Sequence, residues 1–390
     1  MMGPRLRFLI PEAFVLAIAG ALVFAAPALP TTTRCEFPAA AGEVTSLSAG
    51  HDGSVWLAIA TTRVTGGTHS YRTAIYTTSA PGRRWKKVLE APGRRSVGRL
   101  WFFGPGRMVV WLGGGPTTGG TAQNTIMRTE DGGVRWHSIG LPSADYKGST
   151  GSFITPVEAW AQVGTGTGMN SLSSILYHTL DGGDHWTELA QAVAGKRSHS
   201  GLTTVFTTGI EFRDAKDGWV GTNFFGTMLP IFYMTTDGGV AWNQQWLSAP
   251  AQGPDHWTTG EVSPPRFFNG GAGVAVALLS NGKNEVKPFA YRSSNGGRTW
   301  SDPRPFPARQ GPTDSLAWDV LSPTVWAVAE NQTLWVSSNA GLTWSVHPIP
   351  LAQTYQIVRI ALSAPKHVWL IAAHWGAPWR LPNARCVLLT

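Results

Sequence analysis

One short pattern recurs along this chain and limits its possible folds more than any other feature. T-E-D-G-G-V-R-W ends at Trp136, T-L-D-G-G-D-H-W at Trp186 and T-T-D-G-G-V-A-W at Trp242. S-S-N-G-G-R-T-W ends at Trp300 and S-S-N-A-G-L-T-W at Trp344, while a worn copy with one extra residue ends at Trp85. Successive closing tryptophans are 51, 50, 56, 58 and 44 residues apart. A period of this length marks an array of repeated supersecondary units.

Each copy has a local physical meaning. Asp or Asn before Gly favours a tight hairpin turn, because these residues tolerate positive φ. The side chains of Asp131, Asp181, Asp237, Asn295 and Asn339 can accept turn N–H groups, helped by the leading Ser or Thr hydroxyl. Trp136, Trp186, Trp242, Trp300 and Trp344 then open the next strand and bury a large ring. The motif reads as a staple for a turn rather than as chemistry.

A second element recurs in the repeats, an apolar strand, a turn, and a strand containing Trp56, Trp111, Trp160, Trp219, Trp326 or Trp369; the unit before the Trp300 staple substitutes G-A-G-V-A-V-A, with no Trp. Together the two elements give meanders of four short strands. They fall near residues 44–90, 97–140, 151–190, 207–248, 260–302, 313–348 and 355–390. The expected fold is all-β, a single β-propeller occupying 44–390. Seven four-stranded blades is the preferred count, with six and eight as alternatives. The last unit lacks a staple, and residues 29–43 are expected to complete its sheet. Gly and Pro make up nearly a fifth of the chain and Trp numbers 19, a mixture suited to short strands, tight turns and an aromatic core.

In this pattern the chain resembles the Asp-box (BNR-repeat) β-propeller superfamily. That group includes sialidases, photosystem II stability/assembly-factor-like propellers, sortilin-type receptors and xyloglucan-active hydrolases. Phe212, Asp214, Gly218, Trp219, Thr235, Asp237, Gly238, Gly239 and Trp242 follow the F-x-D-x-x-x-G-W…T-x-D-G-G-x-x-W repeat of the assembly-factor-like branch. The resemblance implies a propeller and leaves activity to be argued from a site.

The amino terminus reads as an export signal. Arg5 and Arg7 precede an uncharged apolar stretch from Ala13 to Ala26, and Ala26-Pro27-Ala28 offers a cleavage site. Residues 1–28 are therefore expected to be a signal peptide, with an uncleaved anchor over 8–26 as the alternative and a secreted or extracytoplasmic protein as the result. The only two cysteines, Cys35 and Cys386, are expected to form a disulfide joining the ends of the ring. The formal charge of +8 favours anionic partners.

A ligand is expected on the face opposite the staples. There the segments Thr61–Thr73, Gly113–Asn124, Gly164–Ser173 and Asn223–Pro230 are read as loops between second and third strands. Between blades, Tyr146–Gly148, Lys196–Ser200, Pro254–Thr258 and Arg309–Asp314 add to that face. Its candidate binding residues are Arg94, Arg95, Lys147, Lys196, Arg197, His199, His256, Trp257, Trp375 and Trp379. No catalytic residue is assigned. Glu211, Glu261 and Asp319 are the carboxylates near inner strands that a two-carboxylate hydrolase would use. A sialidase-like glycoside hydrolase acting on surface glycans is accordingly the alternative. An arginine triad with a Tyr–Glu pair, and an F-R-I-P-like segment before the first staple, are both missing from where a sialidase carries them. The histidines lack metal-ligand spacing, and neither metal nor cofactor is expected. The first reading is a monomeric binding or assembly scaffold for a protein or an anionic surface polymer or glycan, with no nucleic-acid role.

Overall fold

The computed structural model describes residues 32–35, 37, 42–50, 53–65, 68–78, 84–93, 95–104, 106–114, 124–142, 149–168, 171–196, 198–202, 204, 206–223, 230–250, 257–281, 285–308, 316–374 and 384–389. After β1 (Thr32–Cys35), the first meander runs β2 (Glu43–Ala49), β3 (Val55–Thr65), β4 (Thr68–Thr78) and β5 (Lys86–Pro92). The second is β6 (Arg95–Phe102), β7 (Met108–Gly114), β8 (Thr125–Thr129) and β9 (His137–Ile139). The third is β10 (Thr150–Phe153), β11 (Ala159–Gly168), β12 (Ser171–Thr179) and β13 (Thr187–Ala192).

The fourth meander is β14 (Phe206–Phe212), β15 (Gly218–Asn223), β16 (Ile231–Thr235) and β17 (Asn243–Trp246). The fifth has a split inner strand, β18 (Thr258–Val262) and β19 (Arg266–Phe267), then β20 (Gly273–Ser280), β21 (Val286–Ser293) and β22 (Arg304–Pro305). The sixth is β23 (Leu316–Val320), β24 (Trp326–Glu330), β25 (Thr333–Ser337) and β26 (Ser345–Pro348). The last comprises β27 (Tyr355–Ala364), β28 (His367–His374) and β29 (Ala384–Leu389), with β1 as its outer strand.

Hydrogen bonding separates most of these meanders into their own four-stranded sheets. The fourth and fifth share a nine-stranded sheet, because β15 also pairs with β18 through Thr222↔Val262 and Asn223↔Glu261. The described residues thus hold six sheets but seven meanders.

Apolar clusters fill the seams between neighbouring meanders and close the arrangement into a ring. Ile75 and Leu89 meet Met108 and Leu112 across the first seam, and the pattern continues to Leu334 and Leu370 across the sixth. Leu57 and Ile59 of the first meander then pack with Trp369 and Leu388 of the last. A ring of radially packed meanders is a β-propeller. Thr32 pairs with Leu389 and Cys35 with Cys386, and the two cysteines are disulfide-bonded, 5.1 Å apart at Cα.

The repeat turns are built as hydrogen-bonded knots. In the second meander Thr129 Oγ1 donates to Asp131 Oδ1 (2.9 Å) and accepts from Gly133 N (2.9 Å). Asp131 Oδ1 also accepts from Val134 N (3.0 Å) and Arg135 N (2.9 Å). Asp237 repeats this arrangement, and Asp181, Asn295 and Asn339 accept from the amide four residues on. Gly132 and Gly133 have φ of 74° and 84°, a region where a Cβ is strained. The closing rings reach the preceding meander: Trp136 Nε1 donates to Val88 O (2.8 Å), Trp186 Nε1 to Gly140 O (3.1 Å) and Trp300 Nε1 to Gln245 Oε1 (3.1 Å). These three staples fasten a turn and a seam together, whereas Trp242 Nε1 donates within its own turn to Gly239 O (2.9 Å).

Trp326 departs from its counterparts. Trp56, Trp160 and Trp219 pair with the residue before the leading Thr of the turn, whereas Trp326 pairs with the leading Ser337 itself. A one-residue offset turns a side chain to the other face of the sheet. Trp326 accordingly packs backward on Phe306 of the fifth meander, with ring centroids 5.7 Å apart. There it fills space left by Val274, which stands where other meanders carry Trp.

Two segments expected as loops are strand instead. Thr61–Thr73 and Gly164–Ser173 belong largely to the long hairpins β3–β4 and β11–β12, paired out to Thr65↔Thr68 and Gly168↔Ser171. Their Thr- and Ser-rich composition reads as loop, but hydroxyl side chains suit an exposed strand face.

Candidate functional site

The sequence-expected binding residues do not converge among the described residues. Arg94, Lys147, Arg197, His256, Trp375 and Trp379 lie outside them. Arg95 is buried, with Nε donating to Pro92 O (2.9 Å) and its backbone N donating to Thr73 Oγ1 (2.7 Å). It supports the start of β6 rather than facing solvent. Trp257 packs edge-on against Phe289, 5.8 Å between centroids. Lys196 and His199 are exposed, but their segment turns back along β13 instead of extending beyond it. Ser200 O accepts from Trp242 N (2.7 Å), so the segment runs beside the closing tryptophan of the next repeat turn. Lys196 and His199 border a groove of about 510 Å³ there with Val240.

What does converge lies on the axis. Two cavities, of about 590 and 480 Å³, share Gly98, Arg99, Trp101, Arg266 and Trp318, and they form the two ends of one channel. The inner strand of every meander contributes to the wider end, which opens toward the repeat turns. Thr150, Thr207, Thr208, Pro264 and Trp111 line the other end.

Three arginines and two carboxylates line this channel. Arg99 on β6 forms an ion pair with Glu211 on β14, and its Nη1 donates to Ile210 O (3.3 Å). The Arg99 guanidinium also sits 5.3 Å from the Trp101 ring centroid. Arg266 on β19 meets Asp319 on β23 (3.2 Å) and donates to Val320 O. Asp319 is further held by Val320 N on Oδ1 and Leu362 N on Oδ2, each at 2.8 Å. This carboxylate is a strut between the sixth and last meanders. Arg359 on β27 is the third arginine, and burial pulls its guanidinium below the usual range.

Burial pushes the Glu211 carboxyl up, against the opposing pull of Arg99 and Arg266. Glu261 is also pushed up by burial, but it lies on β18 away from both cavities. Glu211 and Asp319 therefore occupy the channel as their inner-strand positions suggest, whereas Glu261 does not. Arg99, Arg266 and Arg359 carry a signal that could have found them: each is a charged residue inside an inner strand, where apolar residues dominate. Among the described residues no group of three or more His, Cys, Asp or Glu could hold a metal ion.

No protein-family model matches this sequence, and no curated protein matches it. Solved structures do share its architecture. YCF48 from Cyanidioschyzon merolae is 14% identical with a TM-score of 0.50, over 92% of this chain and 98% of that one. The GH74 enzyme of Niastella koreensis is 14% identical with a TM-score of 0.52, over 89% of this chain. This chain spans about half, 54%, of that enzyme. At such identities the likeness is one of fold, a β-propeller, and a fold does not by itself assign an activity.

Proposed function

We propose that this protein is an extracytoplasmic binding scaffold of the Asp-box propeller type, whose ligand is a protein segment or surface polymer bearing anionic groups received at the axial channel. The observation that carries this reading is the state of the channel carboxylates. Asp319 is engaged by Arg266 and two backbone amides, and Glu211 is paired with Arg99. A two-carboxylate hydrolase needs one group free to give a proton and another free to activate water or attack. Here both carboxylates are committed to structure, and three arginines, Arg99, Arg266 and Arg359, line the same channel, an arrangement suited to anionic groups. The export signal and the Cys35–Cys386 disulfide support the location outside the cytoplasm.

The test is binding of a fluorescent dextran sulfate probe at two salt concentrations, with wild type and Arg266→Gln. Arg266 is half exposed and glutamine keeps a donor at that position, and the melting temperature of the variant checks that the ring stands. Expected is salt-sensitive binding that weakens severalfold in the variant. Binding that ignores both salt and Arg266 overturns the reading. The second reading, a glycoside hydrolase, draws on Glu211, whose raised carboxyl is what a general acid requires. Release of sugar from surface glycans by wild type but not by Glu211→Gln would establish it.

A further inference from the structure

One seam of the ring is finished differently at its outer rim. In the first meander the outer strand pair carries a β-bulge. Ile75 stands opposite Leu89 and Tyr76 opposite Lys87, which leaves Val88 over. The Val88 carbonyl accepts Trp136 Nε1 of the next meander (2.8 Å). The third meander repeats this bulge. Leu176 stands opposite Ala190 and Tyr177 opposite Glu188, which leaves Leu189 in the place of Val88. Each of the two residues lies three positions after its closing tryptophan, Trp186 or Trp85. The ring that by this pattern meets Leu189 is Trp242. It instead donates to Gly239 O in its own turn (2.9 Å) and packs edge-on against Phe212, 6.1 Å between centroids.

The segment between the two meanders accounts for the difference. After β13 the chain reverses, with Lys196 N donating to Val193 O (3.0 Å) and Ser198 Oγ to Gln191 O (3.4 Å). Ser200 O then takes the Trp242 amide, and Leu202 is fully buried in the apolar seam. Between β13 and this returning segment lies the groove of about 510 Å³, lined by Leu189, Ala190, Ser198 and Val240. Val240 is 55% exposed. Charge in the groove is divided. Exposed Glu188 stands near the start of β13, and exposed Lys196 and His199 stand on the returning segment.

An outer strand with an open main-chain edge is a template for another strand. Leu189 adds a carbonyl whose counterpart in the first meander is met by an N–H donor. We propose that the groove receives an extended peptide segment of a partner protein. The segment adds as a strand along β13, donates a main-chain N–H to Leu189 O and lays an apolar side chain on Val240. Strand addition draws affinity from main-chain hydrogen bonds and selectivity from alternate side chains. The peptide that fits has an acidic residue at the end beside Lys196 and His199 and a basic residue at the end beside Glu188. The opposite order sets like charges together. This site lies on the outer rim of the ring and does not depend on what the channel binds.

The experiment measures fluorescence anisotropy of two fluorescein-labelled hexapeptides, E-V-T-V-T-K and K-V-T-V-T-E, with the full chain. Expected is severalfold tighter binding of one charge order. N-methylation of that peptide's amides along one edge should abolish binding, and along the other edge should leave it intact. Val240→Asp should weaken it severalfold. That variant places at this turn the residue that the third turn carries as Asp184, so the turn tolerates it. Val134→Asp, the same change in the second turn, and Arg266→Gln in the channel should leave binding as in wild type. Equal binding of the two charge orders, or binding of neither, overturns the proposal. So does binding that survives methylation of both edges, falls equally in Val134→Asp, or is displaced by dextran sulfate. Concentration-dependent dimerisation that Val240→Asp removes, without binding of either peptide, assigns the groove to a second copy of the chain and also overturns it.

Discussion

Breaking the Cys35–Cys386 bond should cost more here than in most proteins, because of the loop that it closes. The two cysteines are 351 residues apart in sequence. The chain-entropy relation for a cross-link over such a loop gives roughly 6 kcal/mol at 25 °C, all of it from restricting the unfolded chain. The native side adds a second consideration. The outer strand of the last meander is only four residues long, and Cys35↔Cys386 is one of its four registered pairs. The comparison is oxidised wild type against Cys35→Ala/Cys386→Ala, with alanine chosen because Cys386 is buried against Leu57 and Trp369. An unfolding entropy of about 2.1 cal/mol/K per residue makes 6 kcal/mol equal to a fall of roughly 8 °C in Tm. Calorimetry of both proteins, with and without dithiothreitol, reads this directly. Reductant should bring wild type down to the variant and leave the variant unmoved. Melting of oxidised wild type and variant within a degree of each other would refute the argument that the bond holds the ring closed.

Two further outcomes concern packing and pH. Trp160→Ala should lose about 3–5 kcal/mol by urea denaturation, because the ring is fully buried, stacks on Phe212 at 3.8 Å and donates to Gly238 O of the next meander. The turn aspartates should make stability fall in acid. The backbone amide of Arg135 holds Asp131 below its ordinary range and that of His185 does the same for Asp181. At Asp237 partial burial pushes upward, but the amides of Ala241 and Val240 and the Thr235 hydroxyl outweigh it. With folded values depressed, their stabilisation is complete above the unfolded pKa near 4 and drains away as pH falls toward the folded values. Asp181→Asn, which places at this turn the residue found at Asn295 and Asn339, should flatten the acid limb of a midpoint-versus-pH curve; an unchanged slope would contradict the assignment.

The turn motif was legible because its information is local. Thr129, Asp131 and the amides of Gly133, Val134 and Arg135 bond one another within seven residues, so spacing alone reveals the knot. The strand tryptophans were legible as core for the same reason, since alternation and burial go together in a strand. Trp326 shows where this stops. Its offset of one residue is visible only in the cross-strand register, and the register decides which seam it fills. The channel was less legible again. Arg99 and Glu211 are more than a hundred residues apart in sequence and meet because two inner strands face one axis. The Lys196–Ser200 segment is expected as a between-blade loop on the face opposite the staples, but the Trp242 amide needs an acceptor and Ser200 supplies it.

The extra pairing between β15 and β18 makes one seam of the propeller unlike the others. Elsewhere among the described residues no strands pair across a seam, and neighbouring meanders adhere mainly through side chains, with an isolated main-chain bond such as Ile357 N to Asn331 O (2.6 Å) between the sixth and last. Between the fourth and fifth meanders, main-chain hydrogen bonds at Thr222 and Asn223 have to rupture before any gap opens. That seam resists opening more than its neighbours: a ring that widens to admit something bulky parts more readily at a seam without paired strands, and the double unit then travels as one wedge.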